Sequence, residues 1–174
     1  MTGGPEDSRT GNETVDLTIR PLANDDEARQ CAMIMATSEP WLTLRRDFDA
    51  SLAALTNPDR ETYVAVDDAG VAGFVVISMR GAFVGYLQSI AVRADCRSGG
   101  LGTRLIAFTE QRIFRETPNV FLLVSSFNDR ARSFYERLGY EQIGELKDFI
   151  VRGYSELLMR KTRGALTRED GMTG

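Results

Sequence analysis

The stretch from Tyr86 to Ser126 constrains the fold most. It opens with the alternating segment YLQSIAV, passes through a turn holding Gly99, Gly100 and Gly102, and enters a helical pattern over residues 100–116. Pro118 stops that helix, and NVFLLVSS follows as a continuous apolar run. Alternation predicts a strand with one buried face, whereas the apolar run predicts a strand covered on both faces. Together they form a strand–helix–strand unit.

Other elements arrange themselves around it. VDLTIRPL predicts a first strand ended by Pro21, and NDDEARQCAMIMATSE predicts a helix with Asn24 as its N-cap and acidic residues at its positive start. TLRRDFDASLAALT spaces Leu44, Phe48, Leu52 and Leu55 as on a helix that ends at Asn57-Pro58. Residues 62–92 read as three strands, with hairpin-like connections at DDAG and RGA. A short helix is expected from Asn128 to Leu138, stopped by Gly139, followed by closing strands YEQIGEL and YSELLMRK. The class is therefore a mixed α/β sheet. A polar, Gly-rich extension over 1–14 reads as disordered, 15–161 as one domain, and 162–174 as a polar tail.

Composition narrows the chemistry. The 174 residues include no histidine, which removes the commonest general base and every Ser-His or Cys-His pair. Cys31 and Cys96 are far apart and lack metal-ligand spacing, as expected of reduced cysteines in a cytoplasmic protein that holds no metal. A formal charge of −4 argues against nucleic acid as a partner, and no apolar run approaches a membrane span.

The glycine turn invites a ligand. A helix start carries unpaired N–H groups and a partial positive charge, worth about 0.3–2 kcal/mol towards a nearby anion. Glycines strip side chains from that end, and Arg97 adds a fixed charge. A strained turn with one cap is the structural alternative. Two named phosphate motifs fail here, because Thr103-Arg104 follows Gly102 where a P-loop needs Lys-Ser or Lys-Thr, and Leu105 stands where a dinucleotide fingerprint needs glycine.

Arg97-Ser98-Gly99-Gly100-Leu101-Gly102 resembles the R-x-x-G-x-G/A motif of the GNAT superfamily of N-acetyltransferases, preceded as in that family by a strand ending Ile90-Ala91-Val92. NDRARSFYERLGY resembles a later motif of the same family, through Asn128, Ala131, Phe134-Tyr135 and Leu138-Gly139-Tyr140. The resemblance covers about Val15 to Lys161 and implies a GNAT fold, in which a central parallel strand pair splays apart within the mixed sheet, flanked by helices. It implies acetyl-CoA as cosubstrate, with its diphosphate on backbone N–H groups from Ser98 through Gly99, Gly100, Leu101 and Gly102 to Thr103. Arg97 would shape or charge that loop, and Ile90, Ala91 and Val92 would pair with the pantetheine arm. Asn128 would contact the cofactor, or simply cap its helix. Tyr135 would protonate the departing thiolate, or belong to an apolar stripe with Ala131, Phe134 and Leu138. An acceptor amine, on a small molecule or a protein, would attack the thioester directly, with a backbone N–H near Ile90 facing the developing oxyanion. A homodimer is common in the family.

The sequence departs from part of that pattern. Gln88 and Leu123 stand on the two central strands where some members carry a glutamate base. Glu156, Asp148 and Glu39 are the remaining candidates, each read first as a solvated surface acid. SEPWLTLRRDF occupies the region that commonly shapes the acceptor pocket: Trp41 and Phe48 read as core or pocket mouth, and Arg45 and Arg46 either favour a carboxylate-bearing acceptor or face water. A catalytically weak CoA-binding module and transfer of a bulkier acyl group are the alternatives on the same fold.

Overall fold

The computed structural model describes residues 17–167. Val15, Asp16, the 1–14 extension and the last residues of the tail lie outside them. The elements run β1 (Ile19–Pro21), α1 (Asp25–Ala36), α2 (Phe48–Leu55), β2 (Glu61–Asp67), β3 (Gly70–Ser78), β4 (Tyr86–Val92), α3 (Leu101–Ile113), β5 (Asn119–Ser125), α4 (Asp129–Arg137), β6 (Glu141–Lys147) and β7 (Ser155–Thr162). They build one seven-stranded sheet in the order β1-β2-β3-β4-β5-β7-β6. Every neighbouring pair is antiparallel except β4 and β5, which the α3 crossover makes parallel.

Alternation along the strands divides the core into two layers. On one face Val75, Ile77, Leu87, Val120, Leu122, Val124, Leu157 and Met159 pack with Leu101, Leu105, Ile106 and Ile113 of α3 and Tyr135 of α4. On the other, Val64, Phe74, Val76 and Ala91 pack with Cys31, Ala32 and Met35 of α1, Leu55 of α2, and Trp41. Trp41 is thus core, and Phe48 packs against the same cluster.

Local chemistry sets the helix ends. Asn24 Oδ1 accepts from Glu27 N–H at 3.0 Å, and Asn128 Oδ1 from Ala131 N–H at 3.1 Å, as the sequence predicts. The second helix begins later than its apolar spacing indicates, because Arg45 takes a left-handed φ of 53° and Asp47 caps Ala50. Leu44 therefore lies ahead of it. The β3–β4 connection is also longer than the RGA hairpin expected, spanning residues 79–85. At the chain end β7 continues to Thr162, and Arg163 N–H donates to Pro118 C=O at 2.9 Å.

Burial of β5 differs from expectation. Val120, Leu122 and Val124 are core, but Phe121 and Leu123 on the opposite face are only half-buried. On that face α1 packs against β3 and β4, with α2 packed on α1, and Phe121 and Leu123 of β5 stay half-buried. An apolar run does not distinguish a covered face from one reserved for another molecule.

Arg20 of β1 donates to both carboxylate oxygens of Glu27, at 2.6 and 3.0 Å, and Ala23 N–H adds a third bond at 2.9 Å. The arginine bonds outweigh burial and hold Glu27 below the usual carboxylate range. A carboxylate with a depressed folded-state pKa stabilises the fold above its unfolded pKa and loses that contribution as pH falls through the folded value. Glu27→Gln is accordingly expected to lower the melting temperature at neutral pH. The difference from wild type should vanish in melts taken well below about pH 4. Among the described residues no helix is long and apolar enough to cross a membrane.

Candidate active site

The turn before α3 is bare. Gly100 is its N-cap with a left-handed φ of 79°, and no side chain caps the helix, whereas Asn24, Asp47 and Asn128 cap α1, α2 and α4. Ser98 shares the left-handed conformation, with φ 72°. A Cβ on Gly100 would meet nothing within 4 Å, and one on Gly102 would make only ordinary contacts, 3.7 Å from the Phe134 ring and 3.9 Å from Val92. Packing within the protein does not require glycine at 102. Ser98, Gly99, Gly100 and Thr103 are exposed while Leu101 is anchored in the core, so the turn is held from beneath and open above. Arg97 folds back, its Nε donating to Val92 C=O at 3.1 Å.

Next to this turn the sheet opens. β4 and β5 are in register only at Tyr86–Phe121 and Leu87–Leu122, although each strand has seven residues. A bulge directs the opening. The β3 register jumps from Ile77–Leu87 to Val76–Ser89, leaving Gln88 as the extra residue. Before it, Gly85 C=O accepts from Phe121 N–H of β5 at 2.9 Å; after it, Arg93 N–H donates to Ala72 C=O beside β3 at 2.8 Å. Residues 85 and 93 have the same parity and would face the same neighbour in a regular strand. Past Gln88, therefore, Ser89, Ala91 and Arg93 turn their amides towards β3, and Ile90 and Val92 turn theirs into the gap, where β5 supplies no partner.

Tyr135 of α4 lies in the core layer that includes Leu87 of β4 and Leu122 and Val124 of β5. Its ring lies 5.5 Å from Phe134 and 5.6 Å edge-on to Tyr140, and the residue is 7% exposed. Burial first, then the neighbouring Tyr86 phenol, push its pKa well above the usual tyrosine value, and no hydrogen bond contributes. A buried phenol ordinarily finds a partner; this one has none among the described residues, and burial keeps it protonated.

Across the gap lies a polar group that sequence reading undervalued. Glu156 of β7 is not a surface acid: it is 3% exposed. Its register partner Ser125 donates one hydroxyl to the two carboxylate oxygens, at 2.9 and 3.0 Å. Burial raises the Glu156 pKa, and the Ser125 bond only partly offsets it. Tyr86 is raised to about 12, by burial and then by the Glu156 charge, with Arg46 and Arg60 acting the other way. Asp148 and Glu39, the other expected acids, are exposed: Asp148 accepts from Gly153 N–H, and Glu39 from Thr43.

A hollow of about 670 Å³ lies elsewhere, beside the α1 start, lined in part by Asp25, Asp26 and Glu27. Three carboxylates would repel a diphosphate. The bare turn is the better anion site.

The sequence profile of the acetyltransferase (GNAT) family matches residues 26–140, which takes in the bare turn, the splayed strands and Tyr135. The chain belongs to the GNAT family. Among GNAT relatives it is 34% identical over 103 residues to an uncharacterized N-acetyltransferase of Methanocaldococcus jannaschii, a match covering 58% of this chain and 65% of that protein. The GNAT fold is shared with an aminoglycoside 6′-N-acetyltransferase solved with coenzyme A, at TM-score 0.69 and 19% identity over 87% of this chain and all of the other. It is shared also with a ribosomal-protein-alanine N-acetyltransferase of Escherichia coli, at TM-score 0.67 and 18% identity over 88% and 97% of the two chains.

Of the residues expected at the site, Ile90 and Val92 lie on β4 beyond its pairing with β5, the 98–103 turn opens α3, and Tyr135 lies on α4. Asn128 caps α4, and Ala91 turns its backbone away towards β3. Sequence reading missed Tyr86 and Arg60. The one available signal was a tyrosine opening the strand before the glycine turn.

Proposed function

We infer that this protein is an N-acetyltransferase that moves an acetyl group from acetyl-CoA to an amine. The observation that carries the reading is the loss of β4–β5 pairing after Leu87, directly beside an uncapped, positively polarised helix start. That opening has the chemistry a CoA thioester needs. Backbone N–H groups between Ser98 and Thr103 suit a diphosphate, and the unpaired amides of Ile90 and Val92 suit an extended arm that adds like a strand.

On this reading Ile90 N–H faces the acetyl carbonyl oxygen, where a fixed donor stabilises the charge that develops on attack. Tyr135 donates its proton to the sulfur as the C–S bond breaks. Arg97 holds the loop through Val92 C=O, and Asn128 sets the start of the helix that carries Tyr135. No covalent enzyme intermediate is needed.

Thiol release from acetyl-CoA, followed over an amine panel, tests the reading, and Gly102→Ala sharpens it. Alanine in a helix is favoured over glycine by about 0.5–1 kcal/mol and has room here, so the melting temperature should hold or rise. The added methyl crowds the bare turn, so the acetyl-CoA Kd should rise at least about tenfold, roughly 1.4 kcal/mol. Unchanged affinity in the variant would remove the turn from the cosubstrate site.

A further inference from the structure

We propose that the acceptor is an amine carrying an anionic group, its ammonium received by Glu156 and its anion held between Arg46 and Arg60. The proposal rests on the acetyltransferase reading above and adds the substrate class and the base.

Sheet register brings the groups together. Glu61 pairs with Ile77, so Arg60 stands at the level of Ser78, which pairs with Tyr86, which pairs with Phe121. Tyr86 and Phe121 lie on the face opposite Leu87 and Leu122, and Ser125, paired with Glu156, lies on that face four residues beyond Phe121 along β5. Arg46 reaches the same place from the α1–α2 connection, close enough to Arg60 for their like charges to repel and to Tyr86 for both guanidiniums to act on its phenol. One sheet face thus carries two cations at one end and a buried carboxyl at the other, with Tyr86 between.

Each end lacks its complement. Neither Arg46 nor Arg60 has a carboxylate at ion-pair distance among the described residues. Arg60 has only a long bond of 3.4 Å to Ala54 C=O. Five other arginines, Arg20, Arg80, Arg93, Arg112 and Arg132, meet acids. Two adjacent unpaired guanidiniums are costly unless an anion joins them, and their planar forks suit carboxylate or phosphonate oxygens. Glu156 is likewise underfilled. An ionised carboxylate accepts about four hydrogen bonds, and this one has a single shared hydroxyl and no cation. An incoming ammonium supplies both the charge and the donors.

The proton balance closes. Glu156 takes one proton from the ammonium, freeing the nitrogen lone pair. That nitrogen bonds to the acetyl carbon while the C–S electron pair leaves with sulfur. Tyr135 protonates the thiolate and is re-protonated by the second nitrogen proton. The products are the amide and the free thiol, and the proton on Glu156 passes to water. From β4 Glu156 meets Tyr86, with Arg46 and Arg60 beyond. From β5 it meets Ser125 and from β6 Leu146, neither of which titrates.

The test is thiol release from acetyl-CoA over matched amines: amino carboxylates and aminophosphonates beside their neutral amides or esters, with a polyamine as cationic control. Anionic amines should exceed their neutral partners in kcat/KM at least about tenfold. Whichever anion leads identifies the group held by the arginines. Arg60→Gln should abolish that preference, through KM for the anionic amines. Glu156→Gln should cut kcat about 10²-fold or more and remove the acidic limb of the pH–rate profile. Its melting temperature should be unchanged or higher at neutral pH, because a buried carboxyl with a raised pKa costs stability once pH exceeds it. Ser125→Ala removes the bond that lowers the Glu156 pKa, so it should move the acidic limb upwards. Equal turnover of neutral, cationic and anionic amines, or a Glu156→Gln enzyme with unchanged kcat and pH profile, would overturn the proposal while leaving the acetyltransferase reading intact. Absence of acetyl-CoA binding in the wild type would overturn both.

Discussion

Tyr135→Phe is expected to lower kcat by about 10²–10⁴-fold while leaving the acetyl-CoA Kd and the melting temperature close to wild type. Phenylalanine keeps the ring contacts with Phe134 and Tyr140, so the packing of α4 on the sheet survives. Only the hydroxyl is lost, and among the described residues it makes no hydrogen bond that would have to be broken. The raised pKa keeps the phenol protonated well above neutrality, the state a thiolate leaving group requires. Single-turnover kinetics with acetyl-CoA preloaded would isolate the chemical step. If Tyr135 serves only as part of the apolar stripe, kcat will not move.

The second large effect concerns the hinge of the opening. Gly85→Ala should destabilise the fold by about 3–5 kcal/mol, from a left-handed backbone with a side chain and from overpacking together. Gly85 has φ 87°, and a Cβ there would lie 2.5 Å from Asn119 C=O, 2.6 Å from Ile113 Cγ2 and 2.9 Å from Thr117 Cγ2. Two of those atoms belong to α3 and the start of β5, and the Gly85 carbonyl itself takes the first bond from β5. The methyl would force apart the strands at the point where their pairing holds, so the melting temperature should fall by about 6–20 °C. Gly81→Ala is the control: φ is similar at 89°, but a Cβ meets nothing within 4 Å, and the loss should stay near 1–2 kcal/mol. Equal losses at the two positions would mean that close packing at Gly85 contributes nothing.

Much of this molecule is legible in its sequence, because periodicity and capping act locally. Alternation in YLQSIAV, the caps at Asn24 and Asn128, and the stop at Gly139 each depend on residues within a turn of one another. What escaped depends on partners distant in sequence. The Gln88 bulge exists only relative to the β3 register, yet it decides that Ile90 and Val92 face the gap. Burial of Glu156 comes from its place between β5 and β6, and SELLMRK alone looks like an edge strand ending in charge. Arg60, ahead of β2, reaches the site through two intervening strand pairings. The glycine turn was legible for the opposite reason: its composition is a local signal, and a Cβ at Gly100 would meet nothing within 4 Å.

The most direct measurement is a crystal structure of the complex with coenzyme A. The diphosphate oxygens should lie about 3 Å from backbone N–H groups between Ser98 and Thr103, with the pantetheine arm between β4 and β5 and the sulfur beside the Tyr135 hydroxyl. A diphosphate bound away from that turn, or a gap closed by the protein's own side chains with the coenzyme outside it, would contradict the account.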